Sequence, residues 1–356
     1  MDSGFRRNDD REELRVLCAS VVKTGLTMTA PKNSIAFISS ADSKYYPLLL
    51  EWLHSVKRFP QSKDVDICIL DVGMTEEELN FLRPQVTTIA KAEWPTKIPA
   101  WRIRGRDYIK ACVNRPFLKN YFPGYELYFW MDSDVWIQNW QGVEMFLEGG
   151  RRKKITVTAQ NDRAYPKGMR VKWFGNWPWK VRGFYFSNAC KAFGRATARK
   201  LFPYYVLLAG AFCLHRDAPH WDKWQELILK ALKKGKPFTA EQLTLGVMVH
   251  LEGYPVEILP AWMHWLSEFK PLWDVERGVF VEPFLPHMEL SMLHLSGNNV
   301  MRFDRTGADD FQTTTGETIY MSYRYPHYDG ERRVEILHDN SEIVTPQVPI
   351  AKKAGI

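Results

Sequence analysis

The stretch Tyr128–Trp140, YFWMDSDVWIQNW, decides how the chain is read. Glu126–Met131 (ELYFWM) is apolar on both faces, as a central parallel strand is when helices cover both sides of its sheet. Two carboxylates, Asp132 and Asp134, follow that strand directly. Ligands of open α/β sheets gather off the carboxyl ends of the strands. Acids one residue apart at such an end can converge on one hard divalent cation: magnesium, manganese or calcium. An isolated Asp-x-Asp is most often a solvated acidic turn, and the strand end ahead of this one favours the metal. A second triplet, Asp64-Val65-Asp66, precedes its strand and so faces away from the expected site.

Working outward, strands and helices alternate from Ser34. Ile35–Ser39, Asp66–Leu70 and Thr87–Ala90 read as strands before the central one, and Thr156–Ala159, Val206–Leu214 and Val256–Leu259 after it. Helices are expected over Tyr46–Phe59, from Thr75 to before Pro84, over Asp107–Leu118, Trp221–Leu232 and Ala240–Leu251. Thr75 with Glu78 makes a capping box, and Thr239 with Gln242 makes another. The pattern predicts an α/β fold, a Rossmann-like mostly parallel sheet flanked by helices. Residues 1–33 are polar and read as a disordered leader, with Met28 an alternative start; 34–300 form one domain, and 301–356 a C-terminal extension that is partly loop.

At 356 residues and 45% hydrophobic, the chain is long enough for a large core. It holds no apolar run of membrane-spanning length; the longest, Tyr204–Leu214, has eleven residues. Five cysteines with no CxxC pair argue against a disulfide framework and for a reducing, cytoplasmic compartment. Fourteen tryptophans suit either a sugar or base site or an aromatic core. The net charge of +7 is uneven: residues 151–200 carry fourteen Lys/Arg and one acid, Asp162. Within them Arg151–Lys154 form a cluster, and Lys167, Arg170, Lys172, Lys180 and Arg182 interleave with Trp173, Phe174, Trp177 and Trp179. A solvated basic face is one reading. The other is an anionic partner, such as a phosphorylated or lipid-linked glycan acceptor at the inner membrane face. No nucleic-acid motif accompanies the segment.

Arg115–Gln138, RPFLKNYFPGYELYFWMDSDVWIQ, resembles the metal-binding core of nucleotide-sugar glycosyltransferases with the GT-A fold, above all family 8 and its bacterial relatives. The resemblance runs from about Ile35 to Val300. It implies that Ala41, Asp42 and Tyr45 bind the nucleoside, and that Arg115, seventeen residues before Asp132, contacts the donor. Asp132, Ser133 and Asp134 would then bind the metal and the diphosphate. Leu208–Phe212 matches a strand beside the sugar through Gly210, and Glu241-Gln242 matches an Asp-Gln pair at the donor sugar. His294 in His294-Leu295-Ser296-Gly297-Asn298-Asn299-Val300 matches the third metal ligand, with Gly297 beside the diphosphate. Each match has an ordinary alternative: Tyr45 as packing, Arg115 at a helix dipole, Gln242 as a cap, His294 as a core histidine.

Two departures from the family pattern matter: Leu208 stands for an Asn, and Val300 for the Lys beside the departing diphosphate. Arg302, two residues on, is the candidate substitute. The resemblance implies a manganese- or magnesium-dependent glycosyltransferase, using a UDP-sugar and retaining configuration, in bacterial surface glycan biosynthesis. Glu241 is the one acid to test as a nucleophile. The competing readings are a nucleotidyltransferase that makes nucleotide sugars, whose Gly-rich phosphate loop SSADSKYY lacks, and an inactive sugar- or nucleotide-binding protein.

Overall fold

The computed structural model describes residues 31–166, 169–183 and 185–325; the expected leader up to residue 30, Met28 included, and residues 326–356 lie outside the described residues. The strands in chain order are β1 (Ile35–Asp42), β2 (Asp66–Gly73), β3 (Thr88–Lys91), β4 (Leu127–Met131), β5 (Val135–Ile137), β6 (Ile155–Ala159), β7 (Met169–Phe174) and β8 (Trp177–Gly183). They continue with β9 (Leu207–His215), β10 (Val256–Leu259), β11 (Trp265–Leu266), β12 (Leu272–Asp274), β13 (Val279–Val281), β14 (Met292–His294), β15 (Asp309–Gln312) and β16 (Thr318–Met321).

Seven of these make the main sheet, in the order β10-β6-β9-β4-β1-β2-β3. Every pairing is parallel except those of β9, which runs antiparallel to β4 and β6. The apolar strands are buried on both faces. Tyr128 and Trp130 of β4 join one core with Ile38 and Leu70, while Leu127, Phe129 and Met131 join the other with Phe37 and Ile69. Successive side chains of a strand point to opposite sides, so one continuous apolar run feeds two cores. The helix Tyr46–Lys57 adds Trp52, Leu53 and Val56 to the second core. Thr75 caps the helix Glu76–Leu82 through the box read from the sequence.

Two expected elements differ. The helix read over Asp107–Leu118 is broken into Ile109–Val113, a 3₁₀ turn Arg115–Phe117 and Leu118–Tyr121. Pro116 lacks an N–H and disfavours helical backbone at Arg115, and Asn114 Nδ2 donates to the carbonyls of Lys110 and Glu93. The helix read over Ala240–Leu251 is α-helical to Gly246 and ends in a π turn, Val247–Leu251. Its capping box does not form: Thr239 has φ of 68° and makes no side-chain cap. Gln242 Nε2 donates instead to Leu207 O, at 3.1 Å.

Asp66 lies at the start of β2, away from the carboxyl ends of the strands. It accepts from Lys32 N, Asn33 Nδ2 and Tyr125 Oη. Beyond Met301 the described chain packs closely. Tyr323, Arg324 and Tyr325 are buried, and Arg324 makes a bidentate pair with Glu51 of the helix Tyr46–Lys57 (2.7 and 2.6 Å). Cys68, Cys112, Cys190 and Cys213 are free. No described helix is long and apolar enough to cross a membrane.

Candidate active site

The end of β4 delivers the two acids. Asp132 N donates to Gly210 O at 2.8 Å and Val135 N closes the turn on Asp132 O, so the chain leaves the main sheet at Asp132 and resumes as β5. β5 pairs antiparallel with β14 in the register His294↔Val135. That register carries an imidazole from far along the chain to the acids: His294 Nε2 lies 3.2 Å from Asp134 Oδ1 and 3.9 Å from Asp132 Oδ2. One ligand atom from each of Asp132, Asp134 and His294 falls within 4.8 Å of the others.

These residues line a cavity of about 400 Å³ at the carboxyl end of the sheet. The same cavity gathers Ala41, Asp42, Tyr45, Arg115, Ser133, Gly210, Glu241, Gln242 and Gly297, so the binding residues that the resemblance implies meet there. Leu208 and Arg302 line it as well. Val300 does not; it is 66% exposed. Gln160, Glu268 and Cys112 also line the cavity, and no local pattern in the sequence marked them. Behind it lies a fourth unmarked residue, His264, fully buried against His294.

No family model matches the chain, and no curated protein does. Solved structures do. WbbM, described as a bifunctional glycosyltransferase, aligns at 13% identity with a TM-score of 0.50, over 77% of this chain and 48% of its own. The galactosyltransferase LgtC with donor and acceptor sugar analogues aligns at 13% identity with a TM-score of 0.44, over 74% and 87%. An active-site mutant of LgtC aligns at 12% identity with the same TM-score and coverage. The fold is the glycosyltransferase GT-A fold. The chain spans about half the length of WbbM.

Charge around the acids is balanced from the protein itself. Arg115, buried beneath the cavity, pairs with Asp132, donates to Ala209 O at 2.8 Å and reaches Glu241 Oε1 at 3.5 Å. Its guanidinium lies 5.1 Å from the Trp130 ring centre, and Trp130 Nε1 donates to Asp132 Oδ1 at 2.8 Å. Burial works against the charge on Arg115, but Asp132 and Glu241 outweigh it and its pKa is raised. Arg302 Nε approaches Asp134 Oδ2 to 2.8 Å. Burial alone would raise the pKa of Asp134; His294 and Arg302 reverse that and hold it well below the usual carboxylate range.

Glu241 behaves differently. Burial pushes its pKa up, the opposing pull of Arg115 does not cancel the rise, and Oε2 has no hydrogen-bond partner. Burial also pushes Tyr45 up to about 12, so its phenol stays protonated as a donor. Tyr45 is placed by its own backbone N–H bonded to Asp42 Oδ1 (3.0 Å) and by an edge-on contact with Phe303.

The four cations of Arg151–Lys154 are placed elsewhere. They precede β6, which runs parallel to β4, and so sit at the end of the sheet opposite the cavity. Arg151 and Arg152 pair with Glu148, and Lys154 with Glu257. β7 and β8 form an antiparallel hairpin whose tip exposes Trp173 (62%), Phe174 (79%) and Trp177 (71%), beside an exposed Lys172. The side chains of Arg170, Trp179, Lys180 and Arg182, and all of Lys167, lie outside the described residues.

Proposed function

We propose that the protein transfers a sugar from a nucleoside-diphosphate sugar, a UDP-sugar by its resemblance to family 8, to a glycan or lipid-linked acceptor with retention of configuration. The observation that carries this reading is the convergence of Asp132, Asp134 and His294 to within 4.8 Å on the wall of the cavity that also holds the other residues of the resemblance, Val300 excepted. Two carboxylates and one imidazole suit manganese or magnesium, and a cation held there would supply positive charge against the leaving diphosphate.

The roles of the chain's own groups follow from their placement. Asp42 and Tyr45 face the nucleoside, with the Tyr45 phenol as a hydrogen-bond donor. Arg115 neutralises Asp132 from below and keeps its carboxylate aimed at the cavity. Arg302 takes the place of the lysine absent at residue 300, because its guanidinium lines the cavity while Val300 points to solvent. Glu241, buried and held toward its neutral form, suits a hydrogen-bonding role beside the donor sugar better than an attacking carboxylate. Gln242, tied to Leu207 O, braces β9 next to that sugar. Leu208 gives the sugar an apolar neighbour where the family has an amide.

The exposed aromatic tip of the β7–β8 hairpin supports peripheral contact with an anionic membrane surface, where tryptophan sits at the headgroup level. On this reading the enzyme works at the inner face of the membrane, a reducing compartment that the four described cysteines, all free, suit.

The test is incubation with manganese and a panel of nucleotide sugars, reading free nucleoside diphosphate. Slow release from a UDP-sugar supports transfer. Turnover that needs pyrophosphate would make the protein a nucleotidyltransferase, and binding without turnover would make it a sugar-nucleotide-binding protein. Asp132→Ala and Asp134→Ala should each abolish manganese-dependent donor binding; unchanged affinity in both would overturn the assignment.

A further inference from the structure

We propose that His264 is a positioning residue for His294, holding it as the tautomer whose Nε2 lone pair faces Asp132 and Asp134. This rests on the metal site proposed above. His294 Nδ1, the nitrogen turned away from the acids, lies 3.1 Å from His264 Nε2, and His264 Nδ1 lies 3.1 Å from Thr158 Oγ1. The two ring planes differ by only 21° and their centres are 5.1 Å apart, so the rings meet edge to edge through these nitrogens. His264 and Thr158 are fully buried, so no water competes for these nitrogens. On its other flank His294 meets Gly210, where a Cβ would lie 2.6 Å from Cε1. The imidazole is therefore confined between the His264 ring and a backbone with no side chain.

A neutral imidazole has one N–H and one lone pair. For Nε2 to offer its lone pair to a cation, the proton must sit on Nδ1, and a buried N–H needs an acceptor. His264 Nε2 is placed to be that acceptor. Its own proton then sits on Nδ1 and donates to Thr158 Oγ1, so the three groups form one chain of donors running away from the cavity. Ligating histidines depend on such a partner for tautomer and ring orientation, and losing it costs about 10–100-fold in metal affinity. Two features hold this chain in place. Thr158 is on β6, in the main sheet, and His264 immediately precedes β11, which pairs with β14 at Leu266↔His294.

The experiment measures manganese alone binding to the full chain, by the electron-spin signal of free Mn²⁺. His264→Phe should weaken binding about 10–100-fold. His264→Gln, which puts an amide oxygen near the position of Nε2, should recover most of it. In a His294→Ala background His264→Phe should have no further effect. Unchanged affinity in His264→Phe, or an equal loss with and without His294, would overturn the inference. A wild-type chain that binds no manganese would overturn both it and the metal site. Should His264→Phe fail to fold, ¹⁵N chemical shifts of the wild-type imidazoles with magnesium decide the matter: Nδ1–H on His294 is expected, and Nε2–H overturns the proposal. Failure to release nucleotide from any sugar donor would sink the transferase reading alone, since these readouts need no donor.

Discussion

A Cβ at Gly210 would lie 2.6 Å from His294 Cε1, closer than packed side chains allow, and a tight 3.2 Å from Asp132 Oδ2. Gly210→Ala must therefore displace the imidazole or the carboxylate, and manganese affinity should fall well before the fold is lost. Calorimetric titration beside a melting curve checks both halves. Arg302 offers a second test at this scale. If its guanidinium serves the diphosphate, Arg302→Ala should raise the Kd for nucleoside diphosphate in manganese by about tenfold, the worth of one charge-assisted contact. Val300→Lys should change it little, because that position faces solvent. The reverse order of effects would return the role to residue 300. The resemblance pointed to the acids and to His294 but not to His264, because Trp262-Met263-His264-Trp265 has no spacing that distinguishes a ligand's partner from a core histidine.

At the scale of elements, the helix Gln141–Arg151 lies directly on the sheet. A Cβ at Gly150 would sit 2.6 Å from Cys213 Sγ, and one at Gly149 would sit 2.2 Å from Thr156 Oγ1. Alanine in an open helix is worth about 1 kcal/mol over glycine, yet Gly150→Ala should destabilise by about 1–3 kcal/mol through overpacking, read as a lower urea midpoint. The helix Tyr46–Lys57 makes a pH prediction. Burial, reinforced by Lys57, pushes the pKa of His54 down to about 4 from an ordinary 6.5. The neutral folded form thus contributes fully above about pH 6.5. Its contribution is lost as pH falls toward 4, where the unfolded chain takes up a proton that the folded one refuses. Stability should drop by about 3 kcal/mol over that interval, and His54→Gln should flatten the slope in urea titrations at several pH values.

Across the whole molecule, the segment after Met301 is tied to the first helix, across a sequence separation of 273, by the Glu51–Arg324 pair, with Arg324 1% exposed. Removing one partner leaves a buried charge uncompensated, so Arg324→Ala or Glu51→Ala should cost about 3–5 kcal/mol, measured by thermal unfolding. Residues 301–325 are on that account part of the folded body, and the segment also brings Arg302 into the cavity. The aromatic hairpin tip stands apart from this core. Trp173→Ala with Trp177→Ala should reduce co-sedimentation with anionic vesicles while leaving donor hydrolysis unchanged. Equal sedimentation would make the tip a solvent-exposed hairpin and nothing more.

The sequence alone determined the α/β class, since β4 and its neighbours are apolar on both faces and only a sheet covered on both sides buries them. It also determined that two acids follow the central strand, because the chemistry and the strand boundary are local. What brings His294 to them is the β5–β14 register, a pairing across more than 150 residues that no local pattern encodes. The end of β6 at which Arg151–Lys154 lie was likewise beyond sequence reading, because strand direction in the sheet depends on β9 running antiparallel to both its neighbours. Propensity also misled where tertiary contacts were stronger: Thr239 leaves its cap unmade while Gln242 bonds across to β9. Local chemistry is written residue by residue; register, burial and the partner of a buried N–H arise only when distant strands pack.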